Sequence, residues 1–274
     1  MKNALALLLM LMFALAACSG GQAVRSFTKG EEYAAYNFAE SGTFEEGIYA
    51  GVANLLIEDG AYRIEVLLGD NTLWWGQWGA TYTDVIVEAD VQQLTEPNEN
   101  AFGVMCRVRG TVGQPAVADP TLAAILSDPT AEATLDVTAE ATIEATAEAT
   151  ADMTAEATTE PELLPADPRN EGDGYLFLIQ GGGQFAIMRA RGRNLTPLVN
   201  WTGSDAIKQG MQTNTIRAVC AGNYLAMYVN GTFVGEATDD TYREGQIGLA
   251  ASAANRLGTT IQFDNLSAAA PVAG

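Results

Sequence analysis

Short runs of alternating apolar and polar residues, broken by Gly, Asn and Asp, dominate this chain. Such a two-residue period predicts half-buried β-strands. Eleven runs fit: 61–69, 72–78, 84–94, 101–109, 174–180, 184–191, 214–221, 224–230, 232–238, 245–251 and 259–266. In 84–94, Val85, Val87, Ala89 and Val91 share one face, and Glu88 and Asp90 share the other. Phe102, Val104, Cys106 and Val108 lie opposite Arg107 and Arg109. Asp70-Asn71, Gly181-Gly182-Gly183, Asn230-Gly231 and Asp239-Asp240 mark turns, and Asn230-Gly231 is the strongest hairpin signal. No long amphipathic helix interrupts these runs. The expected fold is all-β: a two-sheet antiparallel β-sandwich of the jelly-roll kind.

Two stretches break the pattern. Residues 1–18 carry Lys2 and then an apolar run from Ala4 to Ala17. That run is too short to span a bilayer comfortably and reads as an export signal. It ends in Leu15-Ala16-Ala17-Cys18, which resembles a bacterial lipobox. The resemblance implies cleavage before Cys18, lipidation of its thiol and acylation of its amine. Residues 19–39, opening with Ser-Gly-Gly, read as a tether.

The second stretch is 115–172. From Thr130 to Glu160 a unit close to Thr-Ala-Glu-Ala repeats every four residues. Acids at i and i+4 repel and Thr is a poor helix former, so a solvated, disordered insertion is expected. The strand-like runs on either side look like neighbours in one sheet. The insertion therefore interrupts a single domain made of 40–114 and 173–268.

Charge now takes on a different meaning. The chain has 274 residues, 34 acids, 14 bases and a formal net charge of −20. Twelve acids and no base lie between Pro115 and Pro168, so much of the acidity belongs to the insertion. Nucleic acid is not an expected partner, because its backbone requires a basic face. Histidine is absent, which removes His-based triads and His-ligated metals. Export would place Cys106 and Cys220 in an oxidising compartment. Both lie in strand-like runs, and a disulfide joining two strands that neighbour in space is expected.

The stretches Asn223 to Gly231, Asp239 to Leu249 and Phe263-Asp-Asn-Leu266 resemble the C-terminal half of laminin-G-like domains, which have the concanavalin A-like lectin/glucanase fold. Tyr62-Arg-Ile, Trp74-Trp75, Phe102 to Arg107, Trp201 to Ile207 and Asn214 to Cys220 resemble bacterial surface versions of it. In those versions the two Cys elements form a linked pair of strands. A more distant similarity is to 3-keto-disaccharide hydrolases, from which no catalytic motif transfers.

The resemblance implies either recognition or glycoside hydrolysis. Glucanases of this fold carry Glu-x-Asp-x-Glu on one strand. Here Glu88-Ala89-Asp90-Val91-Gln92 keeps two acids but has Gln at the last position. Glu88 and Asp90 are thus weak catalytic candidates, and cross-strand pairing with Arg107 and Arg109 is the alternative. For sugar stacking the candidates are Trp74, Trp75, Trp78 and Tyr82, with Arg107, Arg109 and Trp201 bordering the same face. Strand alternation sends at least one Trp to the core. Calcium is possible at Asp239, Asp240 and Asp264, where turn roles compete. The reading is an exported lipoprotein, held through Cys18 on the outer face of a bacterial envelope and carrying a non-catalytic module for glycan or surface polymer. A glycosidase and a structural envelope protein are the alternatives.

Overall fold

A computed structural model describes residues 25–49, 51–69, 71–96, 98–110, 172–192 and 194–274. Fifteen strands are present among them: β1 (Phe27–Tyr36), β2 (Gly47–Tyr49), β3 (Ala53–Glu58), β4 (Ala61–Val66), β5 (Leu73–Tyr82), β6 (Val85–Gln93), β7 (Ala101–Arg109), β8 (Asp173–Gln180), β9 (Gln184–Arg191), β10 (Asn194–Gly203), β11 (Asn214–Ala221), β12 (Tyr224–Val229), β13 (Thr232–Thr238), β14 (Gly245–Ser252) and β15 (Thr259–Ala273).

They form two antiparallel sheets. The nine-stranded sheet runs β13-β12-β11-β6-β15-β4-β3-β2, with β1 also paired to β15. The six-stranded sheet runs β10-β9-β8-β7-β14-β5. The expected all-β sandwich is the observed fold. Alternation builds its core: Val87 and Ala89 from β6, Ile216 from β11 and Phe263 from β15 meet Val104 from β7, Phe177 from β8 and Leu249 from β14. The turn between β12 and β13 has Asn230 at φ 51° and Gly231 at φ 79°. Two consecutive left-handed residues match the twist of a tight hairpin.

Cys106 and Cys220 are disulfide-bonded, with Cα atoms 6.8 Å apart. The strands they join, β7 and β11, lie in opposite sheets and face each other across the core, so the bond staples the sandwich shut.

Two boundaries need correction. The tether expected over 19–39 includes β1, which pairs with β15 from Phe27↔Ala273 to Tyr36↔Leu266. Most of β1 is exposed, so it has little of the apolar alternation that marks a half-buried strand. For the same reason the domain extends past 268, to Ala273. The signal with Cys18 and the acidic repeat lie outside the described residues. The strands flanking the insertion do pair directly, from Ala101↔Gln180 to Cys106↔Tyr175.

Candidate functional site

The outer face of the nine-stranded sheet is polar at its centre. On β6, burying Val87, Ala89 and Val91 turns Glu88, Asp90 and Gln92 outward. The neighbouring strands supply their partners. Glu88 accepts from Lys29 Nζ of β1 at 2.6 Å and from Arg217 Nε of β11 at 2.5 Å. Partial burial pushes its carboxyl upward. The hydrogen bonds and charges of Lys29 and Arg217 outweigh that and hold it below the usual carboxylate value.

Asp90 accepts from Thr215 Oγ1 at 2.5 Å and from Asn265 Nδ2 at 2.9 Å. Asn265 can reach it because β15 bulges between Asp264 and Ser267, with Asn265 at φ 51°. Gln92 donates to the Met211 carbonyl at 2.9 Å and accepts from Thr213 Oγ1 at 3.3 Å. Across the ladder Asp264 faces Asp90, and Gln262 faces Gln92.

Asp90, Val91, Gln92, Thr213, Gln262 and Asp264 line a shallow depression of about 120 Å³. That is well below the roughly 300 Å³ at which enclosed ligand pockets begin. The depression can hold one protruding group of a larger molecule lying along the sheet. It offers carboxylate acceptors beside amides that both donate and accept, which is the inventory a hydroxyl-rich partner needs.

The expected charge pairs between β6 and β7 do not form. These strands belong to different sheets, so Glu88 and Asp90 face away from Arg107 and Arg109. Arg107 sits at a bulge with φ 52° and is 0% exposed. It donates to the Thr83 carbonyl at 2.9 Å, the Tyr242 carbonyl at 3.0 Å and Asp84 Oδ1 at 3.3 Å. Burial lowers its affinity for the proton, and Asp84 opposes that shift. Arg107 closes one end of the sandwich. Arg109 lies over the Tyr242 ring, 6.0 Å from its centroid.

Nor do the aromatic candidates share one platform. Trp74 is 7% exposed and packs in the core, its ring 5.1 Å from that of Tyr49. Trp78 packs against the same core, whereas Trp75 and Trp201 pack on the outer face of the six-stranded sheet. They sit at its opposite edges, on β5 and β10. Tyr82 stacks on Tyr33 of β1, the centroids 5.1 Å apart.

Asp239 accepts from Tyr175, Arg189 and the Thr241 backbone, at 2.6, 2.7 and 2.9 Å. Asp240 meets Arg243 at 3.5 Å, and Asp264 belongs to the depression. Among the described residues no three Cys, Asp or Glu side chains converge in a way that could hold a metal ion.

Lys29, Thr213, Arg217, Gln262 and Asn265 join the site in the structure without being candidates from the sequence. Only Gln262 and Arg217 had a usable signal, as outward positions on alternating strands. Lys29 depends on a strand the pattern does not reveal.

No family model and no curated protein matches the chain. Several solved structures are similar in shape. The carbohydrate-binding module CBM66 from Bacillus subtilis is 12% identical, with 84% of this chain and 98% of that one covered and a TM-score of 0.49. A Bacillus subtilis protein of unknown function with a galectin-like fold is 14% identical, covering 90% and 99%, with a TM-score of 0.49. A Bacillus licheniformis β-glucanase is 10% identical, covering 89% and 91%, with a TM-score of 0.42. No residue role passes from them to this chain.

Proposed function

We propose that the protein is an exported, lipid-anchored binding module whose nine-stranded sheet receives a hydroxyl-rich polymer, most simply a polysaccharide of a cell surface. The observation that carries this reading is the depression formed by Asp90, Gln92, Thr213, Gln262 and Asp264. Its polar groups come from two adjacent strands, β6 and β15, and from the segment before β11, so the sheet itself holds most of them in place. An open, shallow shape suits a chain that passes over the surface.

Two features weigh against hydrolysis at this site. Gln92 cannot donate a proton as a carboxylic acid does. Glu88 is held ionised by Lys29 and Arg217, whereas a general acid needs a raised pKa.

The lipid anchor rests on Leu15-Ala16-Ala17-Cys18. Radiolabelled palmitate should enter the wild type and not Cys18→Ser; equal labelling of both would remove the anchor. A glycan array tests recognition. Retention of one or more polysaccharides, weakened by Asp264→Asn combined with Gln262→Ala, is the expected result. No retention on any plant, microbial or host polysaccharide would favour a structural envelope role.

A further inference from the structure

The outer face of the six-stranded sheet carries an apolar surface separate from the core. Met105, Leu176, Leu178, Ala186, Met188 and Ala250 form it, with Trp75 and Trp201 packed at its margins. Alternation leaves no doubt about the side. Phe177 and Ile179 of β8 point into the sandwich, and Leu176 and Leu178 point out of it. In a two-layer sandwich this face should meet water, yet Met105 and Leu176 are 0% exposed. An outward surface of Leu and Met at the middle of a sheet requires a covering layer, and no described strand lies on that side.

The described ends of the insertion indicate what the layer is. Gln77 and Trp75 are outward residues of β5, at the edge of this face. Gly110, the last described residue before the insertion, accepts through its carbonyl from Gln77 Nε2 at 3.1 Å. Gly172, the first one after it, lies so close to the Trp75 ring that a methyl group there would overlap Cζ2. The chain thus leaves and re-enters beside the apolar face, not away from it.

The intervening 61 residues divide into unlike parts. The repeat over 130–160 bears an acid every fourth residue and could not lie on Leu and Met without desolvating those charges. Its two arms contain Val117, Leu122, Ile125 and Leu126 on one side, and Leu163 and Leu164 on the other. Leu164 is eight residues from Gly172. At about 3.3 Å per extended residue it can reach well over 20 Å across the sheet.

We propose that the outer face of the six-stranded sheet is a docking surface for this chain's own insertion arms, 111–129 and 161–171, leaving the acidic repeat in water. The insertion would then contribute a third layer to the domain as well as a projecting acidic segment.

A benzophenone amino acid placed at position 126 or 164 of the full chain tests this directly. Illumination should give cross-links within one chain, to peptides containing Met105, Met188 or Leu176–Leu178. Cross-links between two chains would mean that a second copy covers the face, and cross-links elsewhere or none would leave the arms undocked; each overturns the proposal. A second measurement does not depend on the probe. In the full chain with Leu122, Ile125, Leu126, Leu163 and Leu164 all changed to Ser, peroxide should oxidise Met105 and Met188 several-fold faster than in wild type, with the circular dichroism of the sheets retained. Unchanged oxidation rates in that folded variant would also overturn it.

Discussion

The hydroxyl of Tyr175, on the inner face of the six-stranded sheet, donates to Asp239 at the end of the nine-stranded sheet, 2.6 Å away. The same hydroxyl accepts from the Tyr242 backbone at 3.0 Å, and Arg189 holds the other oxygen of Asp239 at 2.7 Å. Burial and the Asp239 hydrogen bond push the Tyr175 hydroxyl well above its ordinary value. This link closes one end of the sandwich with polar groups, near the disulfide that joins the sheets in its interior. Tyr175→Phe removes a hydrogen bond to a charged acceptor and should cost about 2 kcal/mol. Urea unfolding with an unchanged m-value would register the loss; an unchanged midpoint would show the link to be idle.

Acid should weaken the fold through two carboxylates. For Asp239, burial acts upward, but hydrogen bonds from Tyr175 and Thr241 and the charge of Arg189 hold its pKa below 3.8. Glu88 is held below 4.5 by Lys29 and Arg217. With folded values lowered, the unfolded chain takes up these protons first as pH falls. The stability they supply is present above those ordinary values and is lost as pH drops through the lower folded ones. Stability measured from pH 6 down to pH 2.5 should fall less steeply in Asp239→Asn with Glu88→Gln than in wild type. Parallel curves would contradict the assignment.

Reduction of Cys106–Cys220 should be costly. The bond closes a loop spanning 114 residues, for which chain entropy gives about 5 kcal/mol. A marked fall in melting temperature on reduction is expected, together with an unchanged mass when the native protein is alkylated without reductant. Two alkylated thiols in that experiment would mean no bond.

Neighbouring tryptophans should behave differently. Trp74→Ala opens a cavity between the sheets and should cost about 3–5 kcal/mol. Trp75→Ala lies on the other face, and its effect should shrink when the insertion arms carry the Ser substitutions, because it would then have lost its cover. Thermal denaturation of the two single variants and of the combination separates these cases.

Much of the architecture could be read from alternation. β6 buries one face and shows a period of two, while β7 and β12 are buried almost throughout and show as apolar runs that end at Gly110 and Asn230. β1 and β10 show neither pattern, because most of their side chains face water and β10 contains Pro197, as an outer strand tolerates. Losing β1 had a functional consequence, since Lys29 is half of the clamp on Glu88. The pairing of Glu88 with Arg107 failed for a different reason. Alternation shows which side chains share a face of one strand, but not which sheet the next strand joins. The step from β6 to β7 crosses from one sheet to the other. Likewise, neighbouring positions put Trp74 and Trp75 on opposite faces of β5, yet alternation does not show that Trp75 faces away from the sheet that carries the depression.

Recognition by that depression is tested most directly by measuring affinity for whichever polysaccharide the array retains, using wild type and Asp264→Asn combined with Gln262→Ala. Asp264 accepts one local backbone hydrogen bond, from Asn265 at 2.7 Å, so the pair can be changed with little disturbance of the sheet. A loss of about tenfold or more, corresponding to about 1.4 kcal/mol, with an unchanged melting temperature is the expected result. Equal affinity of the two proteins would place the binding surface elsewhere and contradict the assignment of the depression.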